Sequence, residues 1–220
     1  MSLTFQTSLF DEVGADPDLG PLSGQVERIE LEHGAWIDIR PGWVSNSDEL
    51  FERLATQVPW HADTVEMYDR VVEVPRLVSG FGPNSAYPDP VLDRAQRELN
   101  AHYRAPSEQV FRTAGLCFYR TGNDSVAWHG DRVGAGIDRD TMVAIVSVGA
   151  ARTLSIRPKP RAGDDGGMTR RFPLGHGDPI VMGGSCQRTY EHAILKTKQA
   201  LGPRISVQFR PIWERGHMPR

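Results

Sequence analysis

The chain has 220 residues, 39% of them hydrophobic and 24% charged, a balance that supports one globular domain with a full core. Apolar runs such as Met142 to Val148 are far too short to cross a bilayer, so no membrane partner is expected. The formal net charge of −3 excludes a uniformly basic nucleic-acid binder and leaves only a local patch for such a partner.

Residues 1–25 are rich in Gly, Pro, Asp and Ser and read as a flexible, loosely ordered arm. Met1 to Asp18 lacks a basic start followed by an apolar stretch, and Asp11, Glu12, Asp16 and Asp18 argue against export. A cytoplasmic monomer is the expectation. Ala35 to Ile39 reads as a short strand ended by Pro41-Gly42. Asp48 to Val58 reads as a helix, with Asn46 and Glu49 at capping-pair spacing and Leu50, Phe51 and Leu54 on an apolar face. Glu66 to Phe81 is rich in Val, Tyr and Phe around a turn at Tyr68-Asp69-Arg70, the pattern of a hairpin or strand-bearing flap. A second helix starts at Asp89 with Pro90 in its first position, and Leu92, Ala95, Leu99 and Tyr103 recur at helical spacing.

From Phe111 onward short β-rich runs follow one another: Leu116 to Tyr119, Val126 to Trp128, Met142 to Val148, Thr153 to Ile156, Arg171 to Leu174, Ile180 to Met182, Thr189 to Ala193 and Ile205 to Phe209. Gly, Pro, Asn and Asp separate them, which predicts a sandwich or barrel. Cys117 and Cys186 lie far apart, outside any CxxC pair, and read as small buried residues. Arg152, Arg157, Lys159, Arg161, Arg170 and Arg171 make one basic segment, offset by Asp164 and Asp165; it is either a nucleic-acid footprint or a solvated loop.

His129-Gly130-Asp131 is the first chemical signal. Residues two apart on a strand share a side, so a His nitrogen and an Asp oxygen can meet one ion. His192, on a later β-run, is a candidate third ligand. Two His and one carboxylate leave open positions and suit non-haem iron(II). A plain His–Asp pair at a strand end is the other reading. Near the C-terminus, Arg204 and Arg210 stand an even number of residues apart on a predicted strand. Facing the interior, they need anions, and a dicarboxylate offers one carboxylate to each. The alternative is two surface arginines, with Ile205, Val207 and Phe209 packing the core from the other face.

At this point the chain resembles the AlkB family of Fe(II)/2-oxoglutarate-dependent dioxygenases, which dealkylate nucleic acids. The match runs from about Glu66 to Arg210. In family order it carries Val74-Pro75-Arg76, Phe118-Tyr119-Arg120-Thr121-Gly122, His129-Gly130-Asp131, Val146-Ser147-Val148-Gly149-Ala150, His176-Gly177-Asp178, His192, and Pro203-Arg204 through Phe209-Arg210. The resemblance implies a mainly β fold with flanking helices (α+β): a double-stranded β-helix, or jelly roll, over 111–213. Residues 26–110 would supply N-terminal helices and a nucleotide-recognition flap of the same domain. It implies that His129, Asp131 and His192 bind iron(II), and that Arg204 pairs with the distal carboxylate of 2-oxoglutarate. Arg210 would approach the carboxylate that chelates the metal, with Tyr119 and Ser206 also on the cosubstrate. Oxygen is the third reagent. The implied reaction couples decarboxylation of 2-oxoglutarate to hydroxylation of an N-alkyl carbon and release of an aldehyde, on 1-methyladenine or 3-methylcytosine in DNA or RNA. The alternative substrate is a protein or a small molecule.

The chain departs from the family where Cys117 and Ser206 replace asparagines beside the cosubstrate, which predicts weaker binding by about 1 kcal/mol per lost hydrogen bond. Val133 stands where some members carry an acidic residue facing the base. A base must leave the stack to reach buried iron, and Tyr68, Phe81 and Tyr87 are candidate stacking partners or else core residues. Arg76, Arg157 and Lys159 match positions that face the nucleic-acid backbone in duplex-binding relatives. Finally, Gln6-Thr7-Ser8-Leu9-Phe10 is similar to the short bacterial motif that docks on the replication sliding clamp; Leu9 and Phe10 otherwise fold back on the domain.

Overall fold

The computed structural model describes residues 15–67, 70–103, 111–131, 140–160 and 167–211. In chain order the elements are β1 (Asp18–Leu19), β2 (Glu27–Glu30), β3 (Ala35–Ile39), β4 (Val44–Ser45), α1 (Ser47–Gln57), β5 (His61–Met67), β6 (Arg70–Phe81), α2 (Pro90–His102) and β7 (Phe111–Tyr119). There follow β8 (Val126–His129), β9 (Val143–Gly149), β10 (Arg152–Pro158), β11 (Arg170–Leu174), β12 (Asp178–Gly184), α3 (Cys186–Thr189), β13 (Tyr190–Ile194) and β14 (Arg204–Pro211). Each expected β-run is present and most are longer than the apolar pattern alone suggests. Backbone pairing continues through polar residues such as Arg152 and Asp178, which have little β preference of their own.

An eight-stranded sheet in the order β2-β3-β12-β9-β14-β7-β6-β5 faces a four-stranded sheet in the order β11-β10-β13-β8, a jelly-roll sandwich in which every pairing is antiparallel. Among the described residues two apolar cores result. One joins the large sheet to α1 and α2 through Leu50, Phe51, Leu92, Leu99, Val207 and Phe209. The other fills the space between the sheets with Ile37, Ile145, Leu154, Phe172 and Ile180. β9 is buried along its whole length because helices cover one face and the second sheet the other, which is why it reads as an unbroken apolar run.

α2 forms as its signals dictate. The Asp89 side chain accepts from Val91 N at 2.8 Å, and Pro90 begins the helix where a missing N–H costs nothing. α1 has no Asn46–Glu49 capping box. Asn46 sits in the left-handed region at φ 49° and makes no cap hydrogen bond, while its amide donates to Asp16 O at 3.0 Å. Glu49 instead pairs with Arg53 one turn on, at 2.8 Å. The arm expected to be loose as far as residue 25 is pinned from Asp16 onward. β1 pairs with β4, Trp43 Nε1 donates to Gly20 O at 2.8 Å, and Leu22 is buried. The expected flap is a hairpin of β5 and β6 that begins at His61, earlier than the apolar pattern indicates.

Candidate functional site

β8 and β13 are neighbours in the smaller sheet, and their register sets His129 directly opposite His192. Opposite residues of an antiparallel pair share a face. Their ring centroids are 4.3 Å apart, and one ligating atom from each of His129, Asp131 and His192 lies within 4.8 Å of the others. His129 Nδ1 is 2.8 Å from the Ala127 carbonyl oxygen. A carbonyl only accepts, so Nδ1 is the donor there, and Nε2 is the nitrogen turned toward Asp131. Burial and the neighbouring His129 push His192 down to about 3, so it presents a neutral imidazole.

Asp131 is held at two points. Arg210 Nε donates to its Oδ2 at 3.0 Å, and its own backbone N–H donates to Gln187 Oε1 at 3.0 Å. Burial by itself would raise the carboxyl; Arg210, His192 and His129 outweigh it and hold the group down at about 2. An anionic carboxylate and two imidazoles are the donor set of a divalent ion with open positions. The His129 side chain is 37% exposed against 10% for Asp131, so solvent reaches the cluster from the histidine side.

Along β14, Ile205, Val207 and Phe209 pack the helix-side core, and Arg204, Ser206, Gln208 and Arg210 take the alternate face. This decides between the two arginine readings. Arg204 is 1% exposed and donates Nη2 to Ser147 Oγ at 2.7 Å, while its Nε and Nη1 have no hydrogen-bond partner among the described residues. Buried orphan N–H donors on a cation are costly, and a carboxylate satisfies them bidentately. Tyr119 lies opposite Arg204 in the strand register, its ring 5.2 Å from Cζ. Burial and Cys117 push its phenol up to about 12, so it remains a hydroxyl near neutral pH. The residues therefore fit both a divalent metal and a dicarboxylate.

Other expected contacts lie elsewhere. Arg76 is tied to the pocket wall rather than extended to solvent, with Nε 3.4 Å from Cys117 Sγ and Nη1 donating to Ser125 O at 3.2 Å. Arg157 donates to Glu191 at 2.6 Å and stacks 4.1 Å over the Trp128 ring. Lys159 donates to Gln187 O at 2.7 Å, above the Gly130 backbone. Arg152 is buried, donating to the carbonyls of Thr121, Asp124 and Leu195. The basic segment is thus not one continuous patch: Arg152 works inside the fold, and Arg157 already has a carboxylate. Phe81 and Tyr87 are a correction to the stacking expectation. They pack edge-to-face on each other, and Tyr87 on Phe209, within the helix-side core across the sheet from the metal cluster. Strand parity is the reason, since Phe81 has the same parity as Ser79 and Leu77, whereas Arg76 and Val78 point to the other face. Tyr68, Val133 and the segment Gln6 to Phe10 lie outside the described residues.

Gln187, Gln208 and Ser147 belong to this site and were not anticipated. Gln208 had a legible signal, its even spacing from both arginines. Gln187 sits on the four-residue α3, whose polar residues show no period to read.

Residues 82–210 match the 2OG-Fe(II) oxygenase superfamily. The chain is 30% identical over 190 residues to alpha-ketoglutarate-dependent dioxygenase alkB homolog 3 of Bos taurus, covering 79% of this chain and 65% of that protein. It is 28% identical to the Homo sapiens protein of the same name, covering 80% and 66%. The match to DNA oxidative demethylase ALKBH2 of Arabidopsis thaliana is 26% over 220 residues, covering 83% and 68%. The chain thus spans about two thirds of the length of these relatives. Among solved structures, that of OsALKBH1 superimposes with a TM-score of 0.55 at 14% identity, covering 84% of this chain and 99% of that one, a likeness of fold.

Proposed function

Because the chain belongs to the 2OG-Fe(II) oxygenase superfamily, we propose that it is an iron(II)- and 2-oxoglutarate-dependent dioxygenase that dealkylates N-alkylated bases, such as 1-methyladenine and 3-methylcytosine, in DNA or RNA. The observation that carries this reading is a physical join. Arg210, on the same strand face as the orphaned Arg204 guanidinium, bonds the carboxylate of the metal cluster at 3.0 Å. A cosubstrate gripped at Arg204 is thereby set against the ion. The name of the Arabidopsis thaliana relative, a DNA oxidative demethylase, supports the choice of an alkylated nucleic acid.

Iron(II), 2-oxoglutarate and oxygen supply the oxidising power: the cosubstrate leaves as succinate and carbon dioxide, and one oxygen atom enters a C–H bond of the substrate. The chain does the holding. His129 Nε2, Asp131 and His192 take the metal, with Ala127 O and Gln187 Oε1 orienting the first two. Arg204 takes the distal carboxylate, and the hydroxyls of Tyr119 and Ser206 donate beside it. Asp131 needs no proton exchange, because Arg210 keeps it ionised. The alkylated base, flipped out or single-stranded, approaches from the exposed His129 side, with Lys159, above Gly130, as a cation beside that path. The hydroxylated N-alkyl carbon then releases an aldehyde, and no catalytic acid or base is required of the protein.

The test is incubation with iron(II), ascorbate, 2-oxoglutarate and oligonucleotides carrying 1-methyladenine or 3-methylcytosine, following methyl loss by mass and succinate in parallel. Methyl loss matched by succinate, absent in His129→Ala, is expected. Succinate without methyl loss would move the substrate to a protein or small molecule, and no succinate at all would end the dioxygenase reading.

A further inference from the structure

Between the two arginines of β14 stand Ser206 and Gln208 on the same face. Gln208 is 8% exposed, and its amide is fully engaged. Nε2 donates to Ser206 Oγ at 2.6 Å and to Ser206 O at 3.4 Å; Oε1 lies 3.5 Å from Arg210 Nη1 and 3.7 Å from Cys117 Sγ. Opposite it in β7 is Gly115. A Cβ there would lie 2.9 Å from Arg210 Nη1 and 3.4 Å from Gln208 Oε1, so the glycine leaves room for both side chains.

The hydroxyl of Ser206 has one proton and two lone pairs. Gln208 fills a lone pair with a donor, so the proton must go elsewhere, and Ser206 Oγ has no acceptor for it among the described residues. Nearby on the same strand face, Arg204 Nε and Nη1 are donors without partners. These N–H and O–H groups lie two residues apart on one strand face and are the donors a carboxylate takes. Through its oxygen the same Gln208 touches the Arg210 guanidinium that holds Asp131. We infer that Gln208 is a positioning residue for the dicarboxylate cosubstrate: it sets the Ser206 hydroxyl as a donor toward the distal carboxylate and links that end of the seat to the metal end. This rests on reading the site as one for 2-oxoglutarate. It also describes how a chain with Cys117 and Ser206 beside the cosubstrate still brings an amide into that wall.

The experiment is calorimetric titration of 2-oxoglutarate into manganese(II)-loaded protein, which reads binding without turnover. Thermal melting checks that each variant is folded. Gln208→Met removes the donor to Ser206 and is expected to weaken binding about fivefold, the equivalent of one hydrogen bond of about 1 kcal/mol. Gln208→Glu keeps the size but accepts where the amide donated, so Ser206 turns its proton back and an anion faces the dicarboxylate. It is expected to bind more weakly than Gln208→Met. On a Ser206→Ala background, Gln208→Met is expected to add little further loss, since the residue acts through Ser206. A Glu variant that binds like wild type, a Met variant indistinguishable from it, or fully additive losses would overturn the inference. Wild type that takes up manganese but no 2-oxoglutarate would instead sink the cosubstrate reading beneath it.

Discussion

Replacing Arg204 with methionine should make the metal-loaded, cosubstrate-free protein more stable while removing its response to 2-oxoglutarate. Arg204 is 1% exposed, and two of its nitrogens lack partners. Each unsatisfied buried donor costs about 1–3 kcal/mol, or roughly 2–6 for the pair. Arg152 adds repulsion, since it lowers the Arg204 pKa further after burial has done so. Against this stand the 2.7 Å bond to Ser147 and the Tyr119 ring at 5.2 Å, together about 2 kcal/mol. Methionine fills similar volume without a charge, so the net gain is about 0–4 kcal/mol. In a chain of this length, at about 3 °C per kcal/mol, that is a rise in Tm of up to roughly 12 °C. Wild type with cosubstrate at a hundred times its Kd gains about 2.7 kcal/mol by linkage, and the variant should gain none. Scanning calorimetry of manganese-loaded wild type and Arg204→Met, each with and without 2-oxoglutarate, reads all four states. A variant that melts below wild type without cosubstrate refutes the account of a strained, waiting guanidinium. One that still rises on adding cosubstrate refutes its role in the seat.

Gln187→Met deletes the acceptor for the Asp131 N–H and should weaken divalent-metal binding about 10- to 100-fold in a cobalt(II) titration, a loss typical of supports behind a metal ligand. Unchanged affinity would show that Arg210 alone orients the carboxylate. Tyr87→Phe loses the 2.6 Å bond from Gln96 and should cost about 1 kcal/mol by urea unfolding, with no change in affinity for a methylated oligonucleotide. A fall in that affinity would return Tyr87 to the substrate path. Asp124 lies below the usual carboxylate value of 3.8: burial would raise it, but the Arg120 side chain and backbone N–H outweigh that. Its folded pKa being the lower one, the stabilisation is present above the unfolded value and fades as pH falls through the folded one. The stability gap between wild type and Asp124→Asn should therefore be constant near neutrality and close below about pH 4. A gap that persists in acid would contradict this.

Much of the site was legible because its signals are local. His129 and Asp131 are two residues apart at the end of β8, and Asp89-Pro90 writes a helix start in adjacent residues. The alternation from Arg204 to Arg210 separates an apolar face from a polar one whatever the rest of the chain does. Misreadings arose where a local pattern has two outcomes. Asn46 and Glu49 have capping spacing, yet Asn46 adopts a left-handed conformation and Arg53 claims Glu49. Phe81 ends the flap and Tyr87 follows it, yet both lie on the helix side of the sheet, and only the strand parity of Phe81 and the packing of Tyr87 on Phe209 reveal this.

The sequence by itself determined the inventory: which donors exist, which residues share a strand face, and where helices begin, because those properties depend on neighbours within a few bonds. The tertiary structure decided which inventories meet. Only the antiparallel register of β8 with β13 brings His129 to His192, and only the sandwich of two sheets carries Arg210 to Asp131 and seals Arg204 from water. Such encounters are set by the summed packing of many strands, so no short stretch of chain encodes them.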